Sequence, residues 1–365
     1  MRQRMVGGRE RRTGRRLRAN REVRAVAEAD LGPRDARGEW QPAELIQTPP
    51  VFVWPPRPKA FLKWLFGFPG YLYPFNAIFI AVSVVAWLFL TPELERMARF
   101  EPGWMIGIYL RNAGIVLLWF GAWHLRLYIK RAQGTHYKYN ERWLSTRNRR
   151  FLFGNQTRDN VFWTLVSGVG IWSLFEALTM WMYANGHLPY VDFRTHPVYF
   201  VLLLVAVGLM REVHFYWTHR LTHWKPLYKA AHYLHHKNVN IGPWSGLSMH
   251  PIEHLLYFTG VFLHWIIPSH PVHAMMHLMH AGLSPAPGHS GFDELEFGNK
   301  GKTVRNPNYF HYLHHRYFEC NYGGDGTVPI DRWFGSFHDG SKEAHRRMRE
   351  RAHARMRARP GNQAA

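Results

Sequence analysis

Residues 197–237, PVYFVLLLVAVGLMREVHFYWTHRLTHWKPLYKAAHYLHHK, decide how this chain is read. The first half is a long apolar run of the kind that crosses a membrane as a helix, and six histidines crowd the second half just where that run ends. In HRLTH, His219 and His223 stand four apart; in HYLHH, His232, His235 and His236 stand zero, three and four apart. Those intervals bring side chains onto one face of a helix. Lys225-Pro226 between the two groups stops one helix and lets another begin. The stretch therefore predicts two imidazoles on a helix leaving the membrane and three on the helix that follows.

Three more segments resemble the first half: 72–91, 104–123 and 161–183, each close to the ~20 residues a helix needs to cross hydrocarbon, with Trp and Tyr at their ends. A further apolar stretch, 255–283, is interrupted by IIPSHP and reads as a re-entrant hairpin, since an even number of crossings keeps the later histidines beside the earlier ones. Loops rich in Lys and Arg (125–158, and the region after 217) alternate with loops that are not (92–103, 184–196), which places both termini and the histidines on the cytoplasmic side. Inside the spans Arg111, Asn112 and Glu176 are costly in lipid, and an Arg111–Glu176 pair between helices is one way to meet that cost.

The 365 residues carry a formal charge of +21, but residues 1–24 and 342–359 hold 14 of it. Neither tail has stacking aromatics or a nucleic-acid-binding motif, so they read as solvated tails that favour anionic lipid and not as nucleic-acid arms. A single cysteine, Cys320, excludes internal disulfides and cysteine-based metal cages. The chain divides into a basic, disordered arm (1–58), two spans with a basic loop (59–158), the histidine-bearing region (159–340) and a basic tail (341–365). The fold class is all-α: about four transmembrane helices plus the hairpin, with a cytoplasmic helical cap.

Of 24 histidines, 17 lie between His214 and His315, and the HYLHH block recurs at His311, His314 and His315. Eight imidazoles on three helical faces exceed what one zinc takes and suit two metal ions; all-nitrogen ligation fits Fe, Zn, Cu or Ni. Between the triplets, His280 is taken as a further ligand because it closes the hairpin at the aqueous boundary, with His250 and His289 as second choices. His254, His264, His270, His273 and His277 read as interfacial or core residues.

HxxxH, HxxHH, a lone histidine, then HxxHH followed by Asn321-Tyr322-Gly323 and Asp331-Arg332-Trp333-Phe334-Gly335 resembles the fatty acid hydroxylase and sterol desaturase superfamily of membrane di-iron oxygenases, over about residues 160–338. The resemblance implies that His219, His223, His232, His235, His236, His280, His311, His314 and His315 hold two iron ions, with zinc as an alternative occupant. It also implies roles beside the metals for Glu212, Glu253 (in HPIE) and Asn321. O2 would be the co-substrate and a lipid C–H bond the target, hydroxylated or, on the same site, desaturated. With no GxGxxG fingerprint in the chain, electrons would come from a b-type cytochrome or ferredoxin docking near Arg147, Arg149 and Arg150 or Lys229 and Lys237. Two other readings are a membrane zinc hydrolase with Glu212 or Glu253 as general base, and a metal-storing or nucleic-acid-tethering membrane protein.

Overall fold

A computed structural model describes residues 34–357 apart from 36–37, 298–301 and 307. The first 33 residues of the basic arm and residues 358–365 of the tail lie outside the described residues. The described residues are mostly helical, with little sheet. The helices needed here are α1 (Pro58–Phe66), α2 (Leu72–Leu90), α3 (Pro102–Ile129), α4 (Gln156–Ala184) and α5 (Pro197–Thr222). After them come α6 (225–236), α7 (Pro251–Tyr257), α8 (Pro271–Leu283), α9 (Tyr309–Tyr317) and α10 (Lys342–Arg357). One short antiparallel hairpin, β1 (Glu294–Phe297) with β2 (Lys302–Arg305), interrupts this pattern, an element that the histidine spacing gives no hint of.

Helices α2 to α5 are each long and apolar enough to cross a membrane, and they coincide with the four segments read from the sequence. Prolines open α3, α5, α7 and α8 at the first turn, where a missing N–H costs nothing. Leu88, Phe89, Leu110, Leu118 and Leu202 remain exposed on the outward faces, as suits hydrocarbon surroundings. The costly polar residues face inward: Arg111 and Glu176 form an ion pair between α3 and α4, and Asn112 donates to Glu176 (2.9 Å) and to Ser173 (3.1 Å). All 13 residues of α8 are buried, and it packs against α2, α4 and α5 at the centre of the bundle. Its length of about 20 Å falls short of a ~30 Å hydrocarbon core.

At the C-terminal end of α5 the chain folds into a polar layer made of α6, the 238–249 loop, the β-hairpin, α9 and α10. The segment 38–53, counted with the loose arm in the sequence reading, lies across this layer. Trp40 is buried and donates its N–H to Tyr139, Ile46 donates to Asp339, and Arg332 donates to the Ile46 carbonyl.

Candidate metal centre

α5 ends at His223, and α6 restarts at Lys225-Pro226 as the spacing predicts. The turn 228–232 is π-helical, which widens the helix just before the triplet and rotates His232 toward His223. α9 supplies the second triplet from the opposite side. Nine imidazoles converge in two groups: His219, His223, His232, His236 and His314 in one, His235, His289, His311 and His315 in the other. In each group the ligand atoms lie within 4.8 Å of one another. The groups adjoin, with His236 and His315 rings 4.9 Å apart.

Hydrogen bonds on the far nitrogens say what the near ones can do. His219 donates Nδ1–H to the Tyr322 carbonyl (2.7 Å), His314 to the Cys320 carbonyl (2.7 Å) and His289 to the Pro285 carbonyl (3.2 Å). A carbonyl only accepts, so each neutral ring must present a lone pair at Nε2. His232 meets Glu253 through Nδ1 at 2.6 Å. Yet the Nε2 atoms face each other: His314 lies 3.1 Å from His223 and 3.0 Å from His236, and His289 lies 3.1 Å from both His311 and His315. His219 Nε2 is buried with no partner among the described residues. Lone pairs cannot bond to one another, so these clusters fit a cation at each centre. Two nitrogens at right angles on bonds of about 2.1 Å stand about 3.0 Å apart, which matches these spacings.

Electrostatics agree. Burial first, then the charge that neighbouring imidazoles would carry, holds His223, His232, His236, His289, His311 and His315 well below their ordinary pKa. Burial lowers His235 to about 4 and His314 to about 3. All are therefore neutral at pH 7, the form that binds metal. Burial pushes the Glu253 carboxyl well above its usual range; a cation on His232 would favour its carboxylate and hold the ring in the ligating tautomer.

Eight of the nine first-choice histidines take part, and His289 stands where His280 was expected. The physical reason is the path of 281–289: the turn Pro285–Gly288 carries His289 back over α9, whereas His280 stays buried at the end of α8, edge-on to Phe79 (5.3 Å). His250 caps α7, accepting from the Ile252 N–H, and joins neither group. Of the polar residues assigned to the site, only Glu253 touches a histidine of the two groups. Glu212 accepts from the Gly324 and Gly326 N–H groups (3.0 Å each), and Asn321, at φ +53°, donates to the Phe310 and His338 carbonyls. Both hold the loop whose carbonyls aim His219 and His314. Asp331 does the same through Tyr322 and Gly323, and the run from Asn321 to Gly323 was the sequence signal for that loop. Cys320 is buried, and burial raises its thiol pKa, so it is inert. Lys237 is engaged by Asp159 (2.9 Å), whereas Arg147, Arg149, Arg150 and Lys229 are exposed.

A cavity of about 500 Å³ opens onto the second group only, touching His235, His289 and His311. Phe75, Phe79, Phe215 and Met249 form apolar wall, and residues 45–50 lie at its rim.

Comparison with known proteins follows this geometry. The sequence family described as fatty acid hydroxylase matches residues 203–336. This region belongs to the fatty acid hydroxylase and sterol desaturase superfamily. The chain is 30% identical over 128 residues to a Delta(7)-sterol 5(6)-desaturase of Gibberella zeae, covering 34% of this chain and 38% of that protein. It is 28% identical over 174 residues to a Delta(7)-sterol-C5(6)-desaturase of Nicotiana tabacum, with coverage of 46% and 60%. A Dictyostelium discoideum protein named as a methylsterol monooxygenase is 25% identical over 139 residues, with coverage of 38% and 51%. The chain thus spans about half the length of the curated relatives it matches. No solved structure gives a significant match.

Proposed function

We propose that the protein is a membrane di-iron oxygenase that hydroxylates an unactivated C–H bond of a lipid, with O2 as co-substrate. The observation that carries this is the pairing of nine converging neutral imidazoles with an apolar-walled cavity that reaches one of their two groups. The residues fit the metal pair: five histidines would hold one ion and four the other, and the iron would supply the reduction of O2. The chain's own part is to hold the lipid against His235, His289 and His311, exclude water through the buried walls, and keep the ligand rings in one tautomer. The outcome balances when an outside donor gives two electrons and two protons per turnover, one oxygen atom entering the product and the other leaving as water. A b-type cytochrome or ferredoxin on the cytoplasmic side, near Arg147, Arg149, Arg150 and Lys229, suits that need, with α8 and the segment before it as a re-entrant hairpin beneath the centre. All-histidine ligation favours this over a hydrolase, which keeps fewer ligands and an open position.

A second reading, desaturation at the same site, is favoured by the names of the relatives. Both begin by removing hydrogen from the lipid and both consume O2. Comparing the total lipids of cells with and without the gene by mass separates them: gain of one oxygen atom marks hydroxylation, loss of two hydrogens desaturation. Product formed under strict anoxia contradicts both.

A further inference from the structure

One buried histidine of the cavity is left over once the metal groups are built. His280 lies in the last turn of α8, lines the cavity and is 8% exposed. It belongs to neither ligand group. Its Nδ1 is sealed and without a partner, and neither ring nitrogen has a hydrogen bond among the described residues. The polar side chains near it are engaged: Arg211 donates to the Tyr257 hydroxyl (2.7 Å), Tyr257 donates to the Ala281 carbonyl (2.7 Å), and Glu212 accepts from the 324–326 loop. An imidazole buried without partners carries a desolvation cost that a phenyl or thioether side chain would avoid, and Phe79, Phe215 and Met249 share the cavity lining with it.

We infer that His280 is a specificity-determining residue: its imidazole hydrogen-bonds a hydroxyl group of the lipid and so sets which carbon lies against His235, His289 and His311. A hydroxyl both donates and accepts, so it satisfies the ring whichever nitrogen holds the proton. The bond also fixes the depth at which the lipid lies in the cavity. This inference rests on the cavity being a lipid site.

The test is saturation binding of hexadecan-1-ol and of hexadecane to the purified full-length protein in detergent. In H280F the preference for the alcohol over the alkane falls about tenfold, the worth of one buried hydrogen bond, while hexadecane affinity and iron content stay at the wild-type level. H280M gives the same loss if the bulkier ring does not fold, and H280Q, whose amide donates and accepts, keeps most of the preference. An unchanged preference in both apolar variants, or iron lost on replacing His280, overturns the inference and leaves the lipid reading standing. Failure of the wild type to bind either probe overturns the lipid reading itself.

Discussion

His314 joins the two halves of the five-histidine group, since its Nε2 touches both His223 and His236 while its Nδ1 is fixed on Cys320. H314A, or H235A in the other group, should abolish lipid oxidation and lower the iron bound per folded chain. H273A should cost about 1–2 kcal/mol through its lost bond to the Phe200 carbonyl yet leave the iron in place. Metal analysis of the three variants checks this, and iron loss in H273A would show that the ligand set is wrong. Glu253 acts one step further out: E253Q should weaken iron binding about 10–100-fold, measured by competition with a chelator. At this scale the helical intervals made eight of the nine converging histidines legible. His289 was legible only as a second choice, because a proline-rich turn obeys no period, and the Nδ1 acceptors on His219 and His314 are backbone carbonyls that no side-chain pattern reveals.

Among the elements, α3 and α4 depend on Arg111 and Glu176, two charges that neither lipid nor an apolar core would accept alone. E176A strands the guanidinium and should cost about 3–5 kcal/mol, seen as a lower thermal midpoint in detergent, with E176Q milder because it keeps an acceptor. A midpoint unchanged in E176A would mean that Arg111 finds water. The four spans were legible since length and apolarity alone set them, and the Lys225-Pro226 restart followed from proline's missing donor. The packed 38–53 segment and the Lys237–Asp159 pair were not, because each joins positions far apart in sequence whose pairing only the folded chain defines; the β-hairpin is local, but its four-residue strands carry too short a pattern to stand out.

For the whole molecule, the proposed function needs an apolar substrate and water-borne electrons to meet near the C-terminal end of α5. Under that proposal the exposed arginines at 147, 149 and 150 would offer the donor a basic face. Reversing all three to Glu should slow turnover driven by a protein donor and remove its dependence on ionic strength, while leaving turnover with a small chemical reductant intact. Equal loss with both reductants would place those residues in the fold and not in docking.

The most direct test is elemental analysis of the purified full-length protein beside H311A, a variant in the cavity-facing group. Nine imidazoles in two groups predict about two irons per chain in the wild type and about one in H311A. A wild type holding a single ion, or an H311A protein that keeps both, would contradict the account.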